Sequence, residues 1–217
     1  TIDPSNGVSL SEAIAMAALD TTGSQTIVIA PSLAGQTLTL AGNVAVNENL
    51  TLDLSAASGV TLSGGALTVG GGSTLTVVNG AGNTATIDTA LAGTGALVKS
   101  GAGALTLSGS NNSHTGSVGV NAGTLNASGS IGGNVTISNG ATLSPGGGAG
   151  TGVLTINGNL SMQAGSTLAA QIIQLGRVTD RRPVLSANGA VDSVATMERL
   201  RTHFWDGVDL KDERLFG

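Results

Sequence analysis

Leu50-Thr51-Leu52-Asp53-Leu54, Val60-Thr61-Leu62, Leu67-Thr68-Val69 and Leu75-Thr76-Val77 place an aliphatic side chain at every second position, with Thr or one Asp between. A period of two belongs to a strand with one face buried and the other wet. The pattern begins earlier, in Thr37-Leu38-Thr39-Leu40. It continues through Leu97-Val98, Leu105-Thr106-Leu107, Val118-Gly119-Val120, Val135-Thr136-Ile137, Leu154-Thr155-Ile156 and Leu160-Ser161-Met162. The runs are short, and Gly-Gly, Asn-Gly, Ser-Gly and Ala-Gly pairs separate them, residues that tolerate the positive φ of tight turns. No long helix interrupts the body between Thr26 and Ile172.

Strands this short and numerous form either a hairpin-based sandwich or barrel, or a solenoid in which each coil contributes one strand to each of several parallel sheets. Composition separates the two. Among 217 residues there are 35 Gly, 40% hydrophobic residues, no Cys, no Tyr, and only one Trp and two Phe. A sandwich fills the space between its sheets with large side chains, commonly aromatic ones. All three aromatics here, Phe204, Trp205 and Phe216, lie outside the alternating body. Leu on Leu, Val on Val, stacked Asn and Thr, and Gly at the bends are what a narrow coil uses. With coils about 4.8 Å apart and roughly twenty residues per coil, about 150 residues predict seven or eight coils in a rod roughly 35 Å long.

Other classes are excluded on the same numbers. Mean hydropathy is +0.29, too apolar for a disordered chain, and four Pro with irregular Gly spacing exclude collagen. No window of about eighteen apolar residues is present, so no membrane-spanning helix is predicted. A net charge of −5 argues against neutralising nucleic-acid phosphates or docking on anionic lipid. The chain starts at Thr1 without a signal sequence, as a chain with its signal removed or an excised fragment would.

Charge is distributed unevenly. Residues 1–173 carry one basic side chain, Lys99, and six acidic ones, Asp3, Glu12, Asp20, Glu48, Asp53 and Asp88; the other seven basic and seven acidic residues follow. Three segments are therefore expected: an N-terminal cap over 1–25, a β-helix over 26–173, and a charged, aromatic-containing helical tail over 174–217. In the cap, Ser9 and Glu12 form a Ser-x-x-Glu capping box ahead of Leu10, Ile14 and Ala17 or Ala18 on one helical face, which predicts a lid on the first coil. Val191, Val194, Met197, Leu200 and Phe204 predict a helix in the tail, either capping the last coil or beginning a separate module.

Chemistry-bearing constellations are sparse. A Ca²⁺-dependent lyase needs clustered Asp with a basic residue on one exposed sheet. Asp53, Asp88 and Lys99 are the only charged residues of the mid-body, and solvated surface charge is their favoured reading. Gly70-Gly71-Gly72 and Gly146-Gly147-Gly148 lack the Lys-Ser/Thr and the following helix of a phosphate loop, and read as turns. His114 has no Cys, Asp or Glu near it in sequence and reads as a stacked turn residue rather than a ligand or base. No Gly-x-Ser-x-Gly elbow is present, and Phe204-Trp205 reads as part of an apolar helix face. No catalytic, cofactor-binding or metal-binding residue is assigned, and no cofactor is expected.

Gly93-Thr94-Gly95-Ala96-Leu97-Val98-Lys99-Ser100-Gly101-Ala102-Gly103-Ala104-Leu105-Thr106-Leu107-Ser108-Gly109, continuing to Val120-Asn121-Ala122-Gly123-Thr124-Leu125, resembles the passenger-associated repeat of bacterial autotransporters. His114 stands where that family usually has Tyr, and the turn is one residue longer. Gly132-Gly133-Asn134-Val135-Thr136-Ile137 and the runs to Leu168 resemble the coils that follow the repeat. Gly7-Val8-Ser9-Leu10-Ser11-Glu12-Ala13-Ile14 is similar to the start of pectin-lyase-like surface β-helices, without that motif's Cys and Arg. The resemblance implies a right-handed parallel β-helix that is all-β apart from its cap and tail. It also implies export and display at a bacterial surface after signal-peptide removal. The function expected is non-enzymatic, a stalk or adhesin contacting other cells or surfaces, without nucleic acid and without insertion of this segment in a membrane. Two alternatives stay open: a filament subunit associating end to end, and a polysaccharide-binding or -cleaving β-helix using Asp53 or Asp88.

Overall fold

The computed structural model describes residues 7–20, 23–108, 113–146 and 152–170, and the chain divides into two compact units, Thr1–Gln171 and Ile172–Gly217. The expected tail over 174–217, with its helix, lies outside the described residues.

The first unit is a parallel β-solenoid of three faces. One sheet stacks seven strands: Gln25–Val28, Leu50–Asp53, Thr74–Val78, Ala96–Ser100, Val118–Val120, Val135–Ile137 and Leu160–Met162. A second sheet also has seven: Thr37–Leu40, Val60–Gly64, Thr84–Ile87, Ala104–Leu107, Thr124–Ala127, Thr142–Pro145 and Thr167–Leu168. The third face holds Val44–Val46, Leu67–Val69, Leu91–Gly93 and Ser113–His114, followed by the pair Gly129–Ile131 and Leu154–Ile156. The Gly132 amide donates to His114 O across the gap between those two groups, at 2.8 Å. Every strand pair is parallel, so each strand's neighbours come from the coil before and the coil after.

Successive steps along the first face are 25, 25, 22, 21, 17 and 25 residues. From Gln25 to Leu160 the chain thus completes six turns, at somewhat over the expected twenty residues each. Coil length varies while the strands keep their pairing, so the corners absorb the difference.

Alternation of burial along each strand builds the core. Leu50, Leu75, Leu97, Val118 and Val135 stack in register on the first face, and Val60, Ala85, Leu105, Leu125 and Leu143 on the second, all buried. Identical or near-identical side chains above one another fill a narrow interior without aromatics. Thr and Ser alternate outward: Thr37, Thr61, Thr86 and Thr106 form one outward column.

The lid forms as its capping box predicts. Helix α1, Leu10–Ala17, starts at Ser9, whose Oγ accepts from the Glu12 amide while the Glu12 carboxylate accepts from the Ser9 amide at 2.8 Å. Leu10 and Ile14 are buried in the core, with Ala13 and Ala17 packed against it. These aliphatic side chains keep the first coil from presenting an open end.

Candidate functional site

The coil that runs from Leu97 to Val118 differs from its neighbours in what it buries. On the first face, Ile27, Leu52, Val77, Val120 and Ile137 form one inward column, and Lys99 occupies the position between Val77 and Val120. Lys99 is fully buried. This overturns the expectation of a surface charge, and the reason is periodicity: Leu97 faces inward, so Lys99, two residues on, must as well.

Its ammonium group is not left alone. Nζ donates to Ser100 O and Gly101 O at 2.7 Å each, and to Ala122 O in the next coil at 3.2 Å. An ammonium has three protons, and three carbonyls receive them. Burial pushes its pKa down from 10.5 to about 8. Gly101 makes the arrangement possible, because its φ of +74° is open to glycine and a Cβ there would overlap Asn79 O. Asn79, the residue beneath that corner, is itself buried with both side-chain polar atoms unpaired.

The same coil buries His114. Rather than a turn residue, it is an inward strand residue on the third face, paired with Gly93, which in turn pairs with Val69. The position paired with it admits only glycine, because a Cβ on Gly93 would collide with Val69 O. His114 Nδ1 lies 3.4 Å from Ala92 O, while Nε2 is buried without a hydrogen-bond partner. Burial lowers the imidazole pKa, and backbone contacts to Ala92 and Ser117 oppose it.

Asp53 and Asp88 are not brought together. Asp53 ends a first-face strand and accepts from the Ser55 amide at 2.8 Å, whereas Asp88 follows a second-face strand and accepts from Ser108 Oγ at 2.8 Å. With Lys99 inside, no carboxylate-plus-base constellation forms from these three on one exposed sheet. Elsewhere, a cleft of about 490 Å³ near the end of α1 is lined by Asp20, Asn47, Glu48, Asn49 and Ser73 among others. Glu48 Oε2 accepts from the Asn47 amide at 3.2 Å there. Among the described residues no group of three or more His, Cys, Asp or Glu is placed to hold a metal ion, and no helix is long and apolar enough to cross a membrane.

The coil with buried Lys99 and His114 is also the one that compares with known proteins. A family model described as the passenger-associated-transport-repeat matches residues 97–127. No curated protein and no solved structure matches the chain. Together with the parallel solenoid, the repeat makes the first unit resemble an autotransporter passenger β-helix.

Proposed function

With a passenger-associated-transport repeat set within the stack of a parallel β-solenoid, we propose that the chain is part of an exported passenger, displayed at a bacterial surface as a non-enzymatic stalk or adhesin. The observation that carries this reading is the coincidence of the two: the matched residues pair in register with one another and with the coils before and after them. Stacked coils give stiffness and resistance to proteolysis without disulfides, which suits a spacer held outside the cell. Their contacts are between adjacent coils only, so a chain that emerges unfolded can fold by adding one coil to the last. The outward Thr and Ser columns would supply a polar contact surface.

The test places the chain between a signal peptide and an autotransporter β-barrel in a Gram-negative cell. The reading predicts antibody-accessible, β-rich protein at the surface of intact cells, and more adhesion or settling than in cells displaying the barrel alone. Display without any change in adhesion would remove the adhesive role and leave the stalk. Absence of display would contradict the passenger reading itself.

A further inference from the structure

The inward columns of this solenoid are almost interchangeable. Leu50, Leu75 and Leu97 stack on one another, as do Leu105, Leu125 and Leu143. Inward burial fixes whether a strand faces in or out, but a slip by two residues returns every side chain to its own face. Leu-x-Leu or Leu-x-Val sliding by two over another such pair meets nearly the same neighbours. Aliphatic packing alone therefore leaves neighbouring frames close in energy.

Lys99 breaks that degeneracy. It is the one charged residue of the inward columns among the described residues. Two of its carbonyl acceptors, Ser100 O and Gly101 O, belong to its own corner, but the third, Ala122 O, belongs to the next coil and lies within reach only when Lys99 stands opposite Val120. The coil before is fixed at the same corner, where Gly101 passes so close to Asn79 that no side chain fits. A two-residue slip against the coil after takes Ala122 O away from the ammonium. A slip against the coil before brings, in one direction, Lys99 itself to the place only glycine fits, and in the other brings Gly103 there. A buried charge without its partners is strongly disfavoured, more than any mismatch of Leu with Val.

We propose that Lys99 is the register key of the solenoid: its three-carbonyl clamp selects the one frame in which the strands Ala96–Ser100 and Val118–Val120 stack, and the coils that follow inherit that frame. The role concerns how the chain finds its fold and holds whether or not the protein is an adhesin. It also separates two properties usually lost together. An apolar side chain at position 99 fits the Val77–Val120 column and relieves the burial of charge, so stability stays the same or rises while uniqueness of frame is lost.

The absence of cysteine from the chain makes the frame directly readable. Val98 and Gly119 are outward positions paired across the junction that the clamp spans, about 4.8 Å apart at parallel-strand spacing and within disulfide range; a Cβ on Gly119 meets nothing closer than 3.8 Å. The pairs Gly119 with Ala96 and Gly119 with Ser100 are each displaced by two residues, beyond that range in the native frame. The full chain carrying Gly119→Cys with Val98→Cys, Ala96→Cys or Ser100→Cys is refolded from denaturant under oxidising conditions, with Lys99 retained or replaced in Lys99→Met and Lys99→Leu. The expected result is that only the Val98/Gly119 pair cross-links when Lys99 is present, and that a displaced pair cross-links several-fold more when it is replaced, in protein with undiminished β-sheet signal. Exclusive Val98/Gly119 cross-linking in a folded Lys99→Met or Lys99→Leu chain would overturn the proposal. So would failure of both replacements to fold, because Lys99 would then be holding the coil up and not choosing its frame.

Discussion

Two ionisable side chains inside an aliphatic coil make the stability of this protein depend on pH in a way surface charges would not. For Lys99 the folded-state pKa, about 8, lies below the unfolded value of 10.5. Between those values the unfolded chain binds more protons than the folded one, so stability rises as pH rises from about 8 towards 10.5. The melting temperature followed across that window should climb, and Lys99→Met should flatten the climb. His114 acts in the same direction at lower pH: its folded pKa is depressed from 6.5 by burial, so stability falls as pH drops below 6.5 through the folded value. His114→Tyr removes the titrating group while keeping a ring over Gly93, and should abolish that part of the acid-induced loss in the same melts. Backbone conformation sets a third expectation at this scale. Gly101→Ala meets both a left-handed φ and the Asn79 carbonyl, and should cost more than the roughly 1–2 kcal/mol that left-handed backbone alone costs an L-residue.

Among the elements, the strands that could be read from the sequence are those whose inward positions are Leu, Val or Ile. Leu67–Val69, Val118–Val120, Val135–Ile137, Leu154–Ile156 and Leu160–Met162 have the bounds their alternation predicts. Of the strands that escaped notice, Thr84–Ile87, Leu91–Gly93, Ser113–His114 and Gly129–Ile131 carry Ala, Gly, Ser or His where a larger aliphatic was sought, whereas Val44–Val46 has the alternation and was passed over. A coil enforces extended backbone wherever its neighbours pair, so tertiary context overrides weak local propensity there. Lys99 was legible in principle. Its distance of two from Leu97 puts it inside, but the reflex that charge belongs on the surface hides a lysine whose partners are carbonyls, and carbonyls leave no mark in a sequence. Helix α1 was legible because Ser9, Glu12, Leu10 and Ile14 are side-chain signals at fixed spacing. Energetically the two sides of a strand should differ sharply. In denaturant titrations Leu105→Ala, fully buried, should cost about 2–5 kcal/mol, and outward Thr86→Ala no more than about 0.5 kcal/mol. Ser9→Ala should loosen the lid by about 1 kcal/mol.

Across the first unit, each coil touches only the coils beside it, so protection against amide exchange should be graded along the stack. The strands Ala104–Leu107 and Val118–Val120, paired on both sides, should exchange most slowly. The strands Leu160–Met162 and Thr167–Leu168, where Leu160, Met162 and Leu168 are exposed, should exchange sooner. The passenger-like repeat thus sits within the stack, with its lysine inside a parallel solenoid, and that placement joins fold, family resemblance and register in one position. Amine labelling of the native and the denatured chain, with the modified residue identified by mass spectrometry, tests it most directly. The solenoid predicts that Lys99 is inert in the native protein at pH 8 and reacts readily once the chain is unfolded. Labelling of Lys99 at the same rate in both states would place it on the surface and contradict the fold, its register and the role assigned to the clamp.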